Sequence, residues 1–176
     1  MYYQIKYKSP VGIMMVVCDG QQKHITGLWI EGQKYFQATL RQEPIPGEDI
    51  SVLQKAANWL DAYFAGKKPQ VSDLPLAPEG GEFRQDVWKI LCEIPYGSVT
   101  TYKEIAKKMA VKMGRETMSA QAVGNAVAHN PVSVIIPCHR VVGTGGSLTG
   151  YAGGIDKKIK LLKHEGVDVS AFSVPR

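Results

Sequence analysis

A change of period divides this chain more sharply than any single residue does. In the first third, runs of β-branched and aromatic residues alternate with turn residues. Tyr3 to Tyr7 reads as one strand, Gly12 to Cys18 as a second and Ile25 to Ile30 as a third. Ser9-Pro10-Val11-Gly12 and Asp19-Gly20 are the turns between them. Helical spacing then takes over. Val52, Leu53, Ala56, Ala57, Leu60 and Phe64 share one helix face, which Gly66 and Pro69 bring to a close. Val71 to Gly81 carries Pro75, Pro78, Gly80 and Gly81 and reads as a linker.

Beyond the linker the pattern stays helical. Phe83, Val87, Ile90 and Leu91 mark one helix, and Pro95-Tyr96-Gly97 breaks it. Thr101 with Glu104 forms a capping box, and Tyr102, Ile105, Ala106 and Met109 follow at helical spacing. A second short helix runs from Ser119 to Ala128. Val132 to Ile136 is apolar and β-branched and reads as a short strand. The glycine-rich stretch from Gly143 to Gly154 is a loop whose backbone can approach a ligand closely. Ile155, Ile159 and Leu162 define a last helix that stops at Gly166. The fold expected is α+β: residues 1–78 form a small antiparallel sheet with a helix, and residues 79–176 form a mostly helical domain with a winged helix-turn-helix.

Composition excludes several classes. Of 176 residues, 44% are hydrophobic and 21% charged, which is ordinary for a globular chain and foreign to collagen, coiled coils and disordered tails. No apolar run is long enough to span a bilayer. The first six residues, Met1 to Lys6, lack the apolar stretch of a signal peptide, so a cytoplasmic protein without membrane contact is expected. Twenty-one Lys and Arg against 16 Asp and Glu give a net charge of +5, which leans weakly towards a polyanionic partner. Cys18, Cys92 and Cys138 make no disulfide framework, and His24, His129, His139 and His164 form no ligand pair. Neither a metal nor a cofactor is expected.

Two short helices joined by a turn fit either a plain helical hairpin or a helix-turn-helix. The second has a small face built from Ala120, Ala122, Gly124, Ala126 and Ala128. Such a face admits either a neighbouring helix or a narrow DNA groove.

The chemistry concentrates in Ile136-Pro137-Cys138-His139-Arg140-Val141-Val142. A thiol attacks as thiolate, and only a few per cent is ionised at neutral pH unless a base or cation helps. His139 and Arg140 stand beside Cys138, and Glu165 is a candidate carboxylate to orient the imidazole. From these residues alone, a packed core thiol beside a surface histidine is the favoured reading.

The flanks resolve that choice by resemblance. Asn130-Pro131, then the block around Cys138, then Gly150-Tyr151-Ala152-Gly153-Gly154 and Leu161-Leu162-Lys163-His164-Glu165-Gly166 resemble the O6-alkylguanine-DNA alkyltransferase family. The likeness extends through Phe83 to Trp88, Ile94-Pro95-Tyr96-Gly97, Tyr102 and Ala122-Val123-Gly124, in family order.

The resemblance implies a ribonuclease H-like N-terminal domain and a direct reversal of damage. Cys138 would take the alkyl group from O6 of a flipped-out guanine, once per molecule. His139 would deprotonate the thiol through a bound water, with Glu165 orienting it. Tyr102 would protonate the leaving guanine, and Asn130 would brace the turn. Tyr151 and the backbone at Val141 and Ala152 would line the base pocket. The helix Ser119 to Ala128 would enter the minor groove of double-stranded DNA, with Ser119, Gln121, Ala122, Asn125, Ala128 and Thr144 at the contact, and a monomer would suffice. Lys103 and the basic residues near Lys112 and Arg115 would face phosphates.

At Ala128 the sequence departs from the many members that carry an arginine, since alanine can neither fill a base-sized void nor donate a hydrogen bond. The segment from Lys107 to Met118 is also longer. The resemblance leaves open whether O4-alkylthymine is accepted. An alternative from another class is a silent module that binds damaged bases and recruits other repair factors. The presence of Cys138 argues against it, and the basic chain and the small-faced helix argue against a cysteine hydrolase.

Overall fold

Residues 1–148 and 151–174 are described by the computed structural model. They divide into two compact units, Met1–Gly80 with Pro131–Ile135, and Gly81–Asn130 with Ile136–Arg176.

The first unit is a four-stranded sheet under one helix. Strands β1 (Tyr2–Ser9), β2 (Gly12–Asp19), β3 (Ile25–Ile30) and β4 (Ile45–Pro46) pair in the order β3-β2-β1-β4. The β1–β2 turn is closed by Ser9, whose Oγ donates to Gly12 O at 2.7 Å and accepts from Val11 N. The β2–β3 turn is closed by Asp19, which accepts from Lys23 N and His24 N. The sheet is antiparallel as expected except at β4, which pairs with β1 in parallel. That two-residue strand carries too little pattern to be read from sequence. β3 is buried along its whole length. Helix α1 (Ser51–Phe64) seats Leu53, Ala56, Trp59, Leu60 and Tyr63, each large side chain contributing about 1.5–3 kcal/mol of burial.

Val132 to Ile136 corrects the sequence reading. Only Val132 bridges, to Leu28 of β3, and the rest is turn. Val134 sits at φ 70°, and Ile135 N donates back to Ser133 O at 2.8 Å, a left-handed γ-turn. β-Branched composition favoured a strand, and contacts remote in sequence override it.

The second unit is helical. Helix α2 (Glu82–Cys92) is fixed to α4 (Ala120–Ala128) by Trp88, whose Nε1 donates to Ala126 O at 2.9 Å. Helix α3 (Tyr102–Lys112) starts at Thr101, whose Oγ1 accepts from Glu104 N at 3.1 Å. The Glu104 carboxylate accepts from Lys107 at 3.3 Å rather than completing a capping box. Ser119 caps α4 in the same manner, accepting from Ala122 N at 3.2 Å. Strand β5 (Thr100–Thr101) pairs in parallel with β6 (Val141–Val142), Thr101 opposite Val142. This pairing sets the start of α3 beside the chain that follows Cys138. Helix α5 (Ile155–His164) packs Leu161 and Leu162 inward and ends at Glu165. Gly150, part of the predicted glycine loop, lies outside the described residues.

Candidate active site

Cys138 opens a single 3-10 turn, Cys138–Arg140, after an inverse γ-turn at Pro137 in which Cys138 N donates to Ile136 O at 2.8 Å. All three side chains of the turn are buried. A buried guanidinium and imidazole need partners, and Glu165 serves both. Arg140 Nε donates to its Oε1 at 2.8 Å and Nη2 to its Oε2 at 3.1 Å. His139 Nε2 meets Oε2 at 2.6 Å, and Gly97 N donates to Oε1 at 3.2 Å. Arg140 Nη1 donates to Ile94 O at 2.6 Å.

Electrostatics then fix the histidine's tautomer. A carboxylate gripped by a two-pronged guanidinium is ionised and only accepts. Nε2 therefore carries the hydrogen, and the lone pair lies at Nδ1. Nδ1 is buried with no hydrogen-bond partner among the described residues. Burial holds His139 below the usual imidazole range, although the Glu165 bond pulls the other way. The ring is thus a neutral base.

Burial pushes the Cys138 thiol up. A hydrogen bond from Asn130, the Lys158 ammonium and the backbone N–H groups of the turn pull it back. Asn130 Nδ2 also donates to Ile136 O at 2.8 Å, closing the loop that precedes the thiol. Lys158 is fully buried, donates to Val141 O and stands 6.0 Å from the Tyr102 ring centre. Burial lowers its pKa to about 8, with Cys138 opposing. Tyr102 and Tyr151 are both raised by burial and then by the charge of Cys138. The Tyr151 hydroxyl has no hydrogen-bond partner among the described residues.

Asn130, Tyr102 and Tyr151 act on Cys138, Glu165 holds His139, and Ala152 follows Tyr151 half-buried. The Val141 carbonyl already accepts from Lys158, which leaves one lone pair for a base. Ser119, Gln121, Ala122, Asn125, Ala128 and Thr144 all line one groove of about 860 Å³, together with Tyr102 and Lys103. A Cβ built on Gly124 would stand 3.8 Å from the Tyr102 ring. Lys112, expected to face phosphate, instead pairs with Asp86 at 2.9 Å.

Sequence reasoning missed Lys158 and the joint hold of Arg140 and Gly97 on Glu165. Lys158 had a signal: it interrupts the apolar stripe between Ile155 and Leu162 at helical spacing. Among the described residues no three His, Cys, Asp or Glu side chains gather as metal ligands.

Comparison with known proteins places this geometry among relatives. Residues 82–167 match the family model described as 6-O-methylguanine DNA methyltransferase, DNA binding domain, and residues 1–78 match its ribonuclease-like domain. A methylated-DNA–protein-cysteine methyltransferase of Methanosarcina barkeri is 44% identical over 177 residues, spanning 94% of this chain and 97% of its own. The crystal structure of Mycobacterium tuberculosis O6-methylguanine methyltransferase superposes with a TM-score of 0.78 at 38% identity, covering 94% of this chain and 93% of the other. The M. tuberculosis protein solved in complex with DNA gives 0.76 at 37% identity, covering 97% and 94%.

Proposed function

The chain belongs to the 6-O-methylguanine DNA methyltransferase family, and from that membership we propose that it repairs O6-alkylguanine in double-stranded DNA by moving the alkyl group onto its own Cys138. The observation that carries the assignment to Cys138 is the buried relay behind it, in which Arg140 holds Glu165 ionised and Glu165 holds His139 with its lone pair at Nδ1.

The chemistry follows from the groups present. His139 takes the thiol proton through a bound water, and Asn130 and Lys158 favour the thiolate. The sulfur attacks the alkyl carbon, the S–C bond forms, and the C–O6 bond breaks with its electrons passing to the guanine. Tyr102 gives its phenol proton to the departing base, whose developing charge it stabilises. The imidazolium proton then restores the Tyr102 phenol, so that in balance the thiol proton replaces the alkyl group on guanine. The product is a thioether with no route back, so each molecule acts once.

Recognition uses the α4 groove. Its alanine and glycine lining suits the narrow minor groove, about half as wide as the major one. The damaged base swings out to Tyr151, with the Val141 carbonyl and the Ala152 amide at its edge. Lys103, Arg115 and Thr144 face phosphates. Residues 1–78 form the ribonuclease H-like domain, residues 79–176 the alkyl-accepting domain, and the protein works as a monomer in the cytoplasm.

Intact mass tests the assignment. Incubation with a duplex holding one O6-methylguanine should add one methylene per chain, never more, mapping to Cys138. Bound DNA with an unchanged protein mass would overturn it in favour of a silent damage-binding module.

A further inference from the structure

The chain leaves the unit that holds the nucleophile just before reaching it. Pro131–Ile135 belongs to the first unit, while Asn130 and Ile136 belong to the second. Within the first unit the segment lies along β3. Leu28 N donates to Pro131 O at 2.8 Å, and Ser133 N donates to Leu28 O at 2.9 Å. The next residue is Val134 at φ 70°. A β-branched residue there costs about 1–3 kcal/mol, so its surroundings must impose the conformation.

Gln33 is placed to impose it. Its Oε1 accepts from Ile30 N at 2.7 Å, at the end of β3, and from Ser133 Oγ at 3.3 Å. Gln33 and Ser133 are both buried, so water cannot stand in for the bond. The loop is closed at its far end by Ile136, whose carbonyl accepts both Asn130 Nδ2 and Cys138 N, each at 2.8 Å. Three residues of backbone join Ser133, which Gln33 holds, to the carbonyl on which the nucleophile is set.

We infer that Gln33 is a positioning residue for alkyl transfer, fixing the register of Pro131–Ile135 on β3 and so the placement of Cys138 beside Asn130. The inference rests on Cys138 being the alkyl acceptor. It gives the N-terminal unit a share in catalysis through the chain that joins it to the nucleophile.

The test uses the full chain, an O6-methylguanine duplex, and the variants Gln33→Leu, Ser133→Ala and the pair together. Single-turnover rate at saturating duplex, duplex affinity and the pH dependence of the rate are measured. Each single variant should slow transfer about tenfold, in line with a small misplacement of a reacting group. Affinity should stay within about twofold, so the loss falls on the chemical step. The pH midpoint of the rate should rise, because a loosened Asn130 no longer favours the thiolate, an effect that mere destabilisation does not produce. The double variant should be no slower than the slower single one.

Additive losses, or a folded Ser133→Ala with wild-type rate and pH profile, would overturn the inference. If Gln33→Leu does not fold, Ser133→Ala decides alone, since it keeps the Gln33–Ile30 bond. Wild-type protein that gains no alkyl group in the same assay would sink the alkyl-transfer reading itself. Wild-type transfer beside an unaffected Ser133→Ala sinks only the role of Gln33.

Discussion

Cys18 and Cys138 are both buried thiols, one in each unit, and their surroundings divide them. Cys18 lies in the middle of the sheet on β2, fully inaccessible, and burial pushes it up to about 11 with the Asp19 carboxylate adding to the rise. Burial pushes Cys138 up as well, but an amide, an ammonium and the N–H groups of a 3-10 turn oppose it. Burial therefore says nothing about reactivity. What separates a packing thiol from a nucleophile is the sign of the groups aimed at the sulfur. Backbone N–H groups reach both sulfurs, those of Tyr3 and Cys18 at Cys18, so the difference lies in the side chains: a carboxylate beside Cys18, an amide and an ammonium beside Cys138.

The largest break in that comparison is removal of each sulfur in turn. Cys138→Ala should abolish transfer, with no mass gain at any time, while duplex binding persists. Cys18→Ala should transfer at a rate within about twofold of wild type and lose about 1 kcal/mol of stability from the small cavity. A Cys18→Ala protein that cannot accept the alkyl group would erase the distinction.

Glu165→Gln strips the relay from the Cys138 side alone. An amide cannot neutralise Arg140, and an unpaired buried charge costs about 3–5 kcal/mol. It also no longer fixes the proton on His139 Nε2, so the rate should fall about 10²- to 10⁴-fold, the range a positioned base contributes. Denaturant melts and single-turnover rates separate the two effects. A rate that drops only in proportion to the folded fraction would leave Glu165 a structural group.

Lys158→Met sharpens the comparison by removing the cation that Cys18 never had. The folded pKa of Lys158, about 8, lies below its ordinary value of 10.5. Between those two pH values the unfolded chain binds more protons than the folded one, so stability rises with pH across that window. The rise amounts to about 3 kcal/mol, and the methionine variant should lack it. Its alkylation rate should reach its midpoint at higher pH than wild type. Paired pH series of melting and transfer check both, and identical slopes in the two proteins would remove Lys158 from the account.

The legible parts of the chain were those with a period. α1 and α4 follow from helical spacing because each buries one regular face of its own residues, and β3, buried along its whole length, follows from its apolar run between turns. Val132 to Ile136 misled because its composition is that of a strand, while its shape is set by Leu28 and Gln33, about a hundred residues away. The block around Cys138 stands out by its thiol, imidazole and guanidinium, with Glu165 as a candidate partner, and the resemblance decides its reading. The resemblance was silent on why Glu165 stays charged, since Arg140 and Gly97 reach it only through tertiary folding. Lys158 is visible as a cation in an apolar stripe, but lysines on helices are usually solvated, so the stripe alone assigns it no role.

The smallest effect probes the other unresolved reading, the small face of α4. A Cβ at Gly124 would meet the Tyr102 ring at 3.8 Å, an ordinary contact, so packing does not demand glycine there. Glycine within a helix costs about 0.5–1 kcal/mol relative to alanine, and Gly124→Ala should recover that stability. The same methyl would project into the groove that Tyr102 and Asn125 line. Duplex affinity should then weaken about two- to fivefold, less than the cost of a lost base contact. Denaturant midpoints and titration with duplex give the two numbers on one sample. A gain in stability with weaker binding means that the helix stays small for the sake of DNA. A gain with unchanged binding means that the groove admits the methyl, and that the duplex is read by the polar side chains Gln121 and Asn125 rather than by close approach of the backbone.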